Sequence, residues 1–221
     1  MGKLNCCNVI RLHPCYKYPG RSYSSNSIHH HPVSIHPQRY LYWFRTHVAG
    51  IACGAQYGVS SNCTLCSVKV LNDLGDGTVG GAVKGIDHAV SQCSSSVDSF
   101  GSPCVINLSL GTRYNSLLDT AVANAVSNGV VVVVAAGNYN EDACNYSPAS
   151  TASAITVGWT TITDTRSSLS NWGSCVDVYA PGENIKSAWK SSPTSTRLQS
   201  GTSMASPREY HLSNVTKVRE F

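Results

Sequence analysis

The chain has 221 residues, 42% of them apolar, enough for one ordinary globular core. No run approaches the roughly 18 consecutive apolar residues of a membrane-spanning helix, which argues against a helical membrane protein, and no membrane partner is expected. The formal net charge of +4 hides a segregation: Lys3, Arg11, Lys17, Arg21, Arg39 and Arg45 make residues 1–45 basic without one acidic residue, whereas between Thr46 and Ser206 seven Lys/Arg face ten Asp/Glu.

In chain order, residues 1–45 are rich in Pro, His, Ser and Tyr, carry His29-His30-His31, and show no sustained strand or helix period, so packed structure is not expected there. A strand is expected over Leu65–Leu71, ending in the turn-rich Asn72–Gly77. Val79, Val83, Ile86, Val90 and Cys93 follow at spacings of 4, 3, 4 and 3 and share one face of a helix. Val105–Leu110 reads as a second strand. Leu117, Leu118, Ala121, Val122, Ala125 and Val126 mark a second helix, closed by Asn128-Gly129. Val130–Val134, five valines in succession, suits a central strand buried on both faces. Further strands are expected at Ala154–Val157 and Val176–Tyr179. This alternation predicts an α/β fold in three layers, a mainly parallel sheet between helices.

Gly201-Thr202-Ser203-Met204-Ala205-Ser206-Pro207 places a serine in a run of small residues, which can present a hydroxyl bare to a substrate; the plainer reading is a helix N-cap. Two more segments accompany it: Ile106-Asn107-Leu108-Ser109-Leu110-Gly111, and Val133–Asn138 followed by Asn145–Ser150. In this order the three resemble the motifs of the subtilisin-like serine proteases, the subtilases, and in particular their proteinase K branch. The resemblance runs from about Thr46 to Pro207.

The resemblance implies the three-layer subtilisin-like fold and peptide-bond hydrolysis through an acyl-enzyme. Ser203 falls at the nucleophile position and Asn138 at the oxyanion donor, although Gly-Asn by itself is more often a turn. Ser109-Leu110-Gly111 would be the edge on which a peptide adds as a strand; otherwise it is a buried strand end. Ala135-Ala136-Gly137 and Asn145-Tyr146-Ser147 would wall the pocket for the residue before the cut, with Tyr114 as a flap over a more distant pocket. Small wall residues imply room for a large apolar or aromatic side chain. Polypeptide substrates, a monomer, secretion and no required cofactor come with the family. So does calcium as a structural ion, with Asp164 at a ligand position; a solvated loop aspartate is the alternative.

The departures are specific. The base motif His-Gly-Thr-His-Val-Ala-Gly survives only as Thr46-His47-Val48-Ala49-Gly50, with Phe44 at the base position and Arg45 for the glycine. His47 corresponds to the second, structural histidine, and His88 reads as a solvated or capping residue. No Asp or Glu precedes Asp73, which with Asp76 sits in a Gly-rich turn, so the acid is not found. After Pro207 a polar tail replaces the family's apolar helix. The expected organisation is a basic arm over 1–45, a partial catalytic domain over 46–207 and a polar tail over 208–221. The chain then reads as a truncated or mis-spliced subtilase, inactive or nearly so and prone to aggregate. The alternative is a non-catalytic peptide-binding pseudoprotease. A third reading puts the arm, with Arg39, Tyr40, Tyr42, Trp43 and Arg45, on nucleic acid or acidic surfaces, but no recognised module supports it and no nucleic-acid partner is expected.

Ten cysteines suit an oxidising compartment, yet the first 30 residues lack the apolar stretch of a secretory signal. Seven of the ten lie in the body, so at least one has no partner there. Cys63-x-x-Cys66 is a lone zinc or redox spacing without a second ligand pair.

Overall fold

The computed structural model describes residues 4–5, 9–14, 43–60, 63–72, 75–95 and 104–209. In chain order the elements are β1 (Leu4–Asn5), β2 (Val9–Pro14), α1 (Trp43–Cys53), β3 (Cys63–Val68), β4 (Asp76–Gly77), α2 (Val79–Ser95), β5 (Val105–Leu108), β6 (Thr112–Arg113) and α3 (Ser116–Ser127). Then come β7 (Val131–Ala135), β8 (Tyr146–Ser147), β9 (Ile155–Thr160), β10 (Val178–Pro181), β11 (Ile185–Ala188), β12 (Thr196–Gln199) and α4 (Thr202–Ala205).

Among the described residues, six strands form the central sheet in the order β10-β9-β7-β5-β2-β3. From β10 through β5 the pairings are parallel, whereas β2 runs antiparallel to both β5 and β3. Successive residues of a strand face opposite ways, and the core divides accordingly. Ile106, Leu108, Val132 and Val134 pack with Ile86 of α2 and Leu118 and Val122 of α3. Val105, Val133 and Val157 pack on the other face with Val48 and Ile51 of α1 and Met204 of α4. The valine run is therefore buried on both faces.

The two amphipathic helices occupy the expected segments because each has an apolar face and a signal at one end. Thr78 Oγ1 accepts the Gly81 N–H at 3.0 Å ahead of α2. Asn115 Oδ1 accepts the Leu118 N–H at 3.3 Å at the start of α3, and Gly129 with φ 81° ends it.

Several expectations are corrected. Strand β3 stops at Val68; Leu71 bridges to Gly77 and packs with α2 instead. Strand β10 begins at Val178, because Val176 packs with a separate cluster around Ala143 and Tyr146. The arm has no strand or helix period by sequence, yet Val9–Pro14 enters the sheet between β5 and β3, against the expectation of no packed structure over residues 1–45. Helix α1 was not anticipated. Its Gly50 disfavours a helix, but a Cβ there would stand 2.3 Å from Ser187 Oγ, so close approach to β11 decides the residue.

Cys93–Cys104 and Cys144–Cys175 are disulfides, Cys53 is also disulfide-bonded, and Cys66 is a free thiol. Positions 63 and 66 both lie in β3. Among the described residues no helix is long and apolar enough to cross a membrane.

Candidate active site

Strand β7 delivers its last residue, Ala135, into a turn over 136–141, and Asn138 projects from that turn. Opposite it begins α4, whose N-cap Gly201 has φ 140°; a Cβ there would come within 3.2 Å of the Asn138 carboxamide. Thr202 donates twice to Asn138 Oδ1, from its N–H at 2.9 Å and from its hydroxyl at 3.1 Å, and Thr202 Oγ1 accepts the Gly137 N–H at 3.3 Å. With its oxygen engaged by both donors, the Asn138 NH2 has no hydrogen-bond partner among the described residues. Among the described residues Ser203 Oγ also has no hydrogen-bond partner. The N–H groups of Met204 and Ala205 bond to the Gly201 carbonyl, and among the described residues the Ser203 N–H has no partner at the helix start.

Ser203 and Asn138 share a cavity of about 90 Å³ with Ser109–Gly111 on one side, Ala135–Gly137 on the other, and Tyr146 and Ser147 as a further wall. Tyr139, Ala149 and Thr202 line it too, although the sequence did not single them out. Tyr114, expected over a more distant pocket, is 62% exposed, and its N–H bonds to the carbonyl of Asn145, which lies in a 3-10 turn and does not line this cavity.

The Tyr146 ring is held on several sides. Tyr139 stacks on it at 4.8 Å between centroids with planes 4° apart, and the Arg113 guanidinium lies over it at 4.7 Å. Arg113 forks onto Glu141 at 2.6 and 3.1 Å, and the Tyr146 hydroxyl donates to the same carboxylate at 2.9 Å. The hydrogen bond from Arg113 holds the Glu141 carboxyl below its usual range, with the Tyr146 hydroxyl adding to the effect. Burial, then the bond to Glu141, pushes the Tyr146 hydroxyl up to about 12. Neither Arg113 nor Glu141 carries a motif that would have marked it.

Beneath the nucleophile position lies a buried polar chain. Asn107 Nδ2 donates to Ser109 Oγ at 2.9 Å, Ser109 donates to the Ser203 carbonyl at 3.2 Å, and Ser206 Oγ lies 3.0 Å from Ser109 Oγ. The Ser109 side chain is fully buried, while the Ser109–Gly111 segment lines the cavity.

Asn171, also fully buried, grips the 136–141 turn with its side-chain amide and its own N–H. Its Nδ2 donates to the Ala136 carbonyl at 2.9 Å, and its Oδ1 accepts the N–H groups of Tyr139 at 2.9 Å and Glu141 at 3.2 Å. Its own N–H donates to the Gly137 carbonyl at 2.9 Å. Sequence reading passed over Asn171 and Thr202, whose partners lie 30 to 35 and 64 to 65 positions away.

His47 is not brought to Ser203. It is fully buried in α1, its Nε2 donates to the Arg197 carbonyl of β12 at 3.0 Å, and its ring stands edge-on to Trp189. Its own carbonyl accepts the Ser187 hydroxyl of β11 at 2.8 Å, so the residue joins helix to hairpin. Position 44 lies in the first turn of α1. His88 is exposed on α2, and Asp76, in β4, pairs through its N–H with Asn72 Oδ1; Asp73 lies outside the described residues.

Asp164 has φ 57° and is exposed in a turn where the hydroxyls of Thr161, Thr163 and Thr165 bond to one another. Asp164 offers one carboxylate toward the about 6 to 8 oxygens that calcium takes, and main-chain carbonyls would have to supply most of the rest. Among the described residues no group of three or more His, Cys, Asp or Glu could hold a metal.

Residues 43–208 match the family model Peptidase S8, subtilase family. The chain is 51% identical over 162 residues to the alkaline serine exoprotease A of Vibrio alginolyticus, covering 73% of this chain and 29% of that protein. It is likewise 51% identical over 162 residues to the extracellular serine proteinase of Thermus sp. (strain Rt41A), covering 73% and 38%. Among solved structures, a cold-adapted subtilisin-like serine proteinase superposes with a TM-score of 0.70 at 45% identity, over 78% of this chain and 62% of that one. The chain thus spans 29% and 38% of the two curated relatives.

Proposed function

The chain belongs to the subtilase family of serine peptidases, whose members act on polypeptides, and from that premise we propose that it seats an extended peptide along Ser109–Gly111 and attacks it through Ser203. The supporting observation is the paired donation from Thr202 to Asn138 Oδ1, which leaves the carboxamide NH2 and the unpartnered Ser203 hydroxyl on one cavity. Ser203 Oγ would bond to the scissile carbonyl carbon. The charge developing on the carbonyl oxygen would be received by Asn138 Nδ2 and the Ser203 N–H, and the amine would leave with a proton. Small residues at Ala135–Gly137 leave room for an aromatic or large apolar side chain before the cut.

The proton of Ser203 is the weak point. Phe44 stands at the base position, no acidic residue precedes Asp73, and the His47 imidazole is committed to Arg197. Turnover by these 221 residues is therefore slow, and the site acts chiefly to bind peptide. The compartment proposed is extracellular, as the Thermus relative is named, and the disulfides Cys93–Cys104 and Cys144–Cys175 fit an oxidising medium.

Hydrolysis of peptide anilides with Phe or Tyr before the cut, compared with Ser203→Ala, tests this reading. The expected rate lies far below about 1 per second, a low value for enzymes, with the same peptides bound but barely cut. Turnover near that value, lost in Ser203→Ala, would show that a base has been overlooked.

A further inference from the structure

We propose that Asn171 is a positioning residue for the oxyanion donor: it holds the 136–141 turn in the one shape that presents Asn138 to Ser203. The inference rests on the peptidase reading above. Of six consecutive amides from Ala136 to Glu141, five are bonded: to Val157, Thr202, Asn171, Leu169 and Asn171 again. Among the described residues only the Asn138 N–H is left over. Asn171 supplies two of these bonds and also engages the carbonyls of Ala136 and Gly137, so it contacts the turn on both sides of Asn138.

The clamp is itself fixed to the sheet. Ser170 Oγ accepts the Trp159 N–H of β9 at 3.0 Å and donates to the Asn171 carbonyl at 3.0 Å, and the Arg166 guanidinium binds the Ser170 carbonyl at 2.7 Å. Gly137 completes the fit: its φ is 109°, and a Cβ would lie 2.5 Å from Asn171 Nδ2. Among the described residues, all three hydrogen bonds of this buried carboxamide go to the one turn. Thr202 then orients the Asn138 carboxamide from the α4 side, so the donor is set from two independent elements, β9 through Asn171 and α4 through Thr202.

An aromatic peptide boronic acid tests the assignment without a general base. Ser203 Oγ bonds to boron, which becomes a tetrahedral anion resembling the transition state, and the hydroxyl proton goes to solvent. The matching peptide amide, which forms no such adduct, reports the edge and the pocket alone. In Asn171→Ala, boronate affinity is expected to fall roughly 10- to 100-fold, the cost of misplacing a group by about 1 Å, while amide affinity stays within about twofold. In an Asn138→Leu background the same substitution should cost less than about twofold, since it acts through Asn138.

Each variant is scored only with a near-UV circular dichroism spectrum like that of the parent. Should Asn171→Ala not fold, Asn171→Asp carries the test, keeping the acceptor for Tyr139 and Glu141 and removing the donor to Ala136. Equal boronate affinity in parent and variant, or a joint loss of boronate and amide binding, would overturn the proposal. Absence of a tetrahedral boron NMR signal in the parent itself would instead bring down the peptidase reading, and the two failures are thus told apart.

Discussion

His47 carries an imidazole into the core, where burial, more than its bonds, holds its pKa below 6.5. The folded protein keeps this group neutral while the unfolded chain protonates, so its stabilising contribution is present above about pH 6.5, the unfolded value, and lost as pH falls toward the lowered one. A thermal midpoint that drops as pH falls below about 6.5 is expected, with a shallower drop in His47→Asn; identical slopes would contradict the linkage. Tyr146 titrates at the other end. With its hydroxyl pushed up to about 12, the related stability is complete below about pH 10 and lost as pH rises toward 12. An absorbance titration of phenolate should show a late step that is missing in Tyr146→Phe and moves down toward 10 in Glu141→Gln. Asn138 and Ser203 were legible because each sits in a contiguous motif. Asn171, Thr202, Arg113 and Glu141 were not, because what marks them is a bond to a residue far along the chain.

Elements were legible where the chain itself repeats a period. Helices α2 and α3 show apolar faces, and β7 shows its valines. Helix α1 was silent because small residues and Gly50 replace the bulky stripe, and its existence depends on β11, more than 130 positions later. Arg11 and Pro14 interrupt β2, which lacks the apolar continuity of the other sheet strands. The 136–141 turn is the element whose shape matters most to the site. Gly137→Ala forces a side chain to φ 109° and against Asn171, and should cost roughly 1–3 kcal/mol, the range for a strained backbone residue. Urea denaturation measures this, and an unchanged midpoint would mean that the turn is not held by that contact.

At the scale of the molecule, alternation of strand and helix was enough to give the three-layer fold, which the subtilisin-like structural relative shares. The direction of β2 and the hairpin β11–β12 were not readable, since pairing depends on contacts rather than on composition. The same sheet brings together β7, α4 and the Ser109–Gly111 segment, which is why one cavity can hold both donor and nucleophile. On the proposed reading that no carboxylate orients the base, rebuilding the base motif with Phe44→His and Arg45→Gly is expected to add little. In a serine protease triad, losing that carboxylate alone costs about 10,000-fold.

The most direct measurement is to treat the 221-residue chain and its Ser203→Ala variant with an aromatic peptidyl phosphonyl fluoride and to locate the adduct by mass spectrometry. Phosphorus bonds to the reacting oxygen, fluoride leaves, and the proton goes to solvent. A single adduct on Ser203, accumulating over hours and absent from Ser203→Ala, is the predicted result. An adduct on another residue, no adduct at all, or labelling as fast as in a complete subtilase would contradict it.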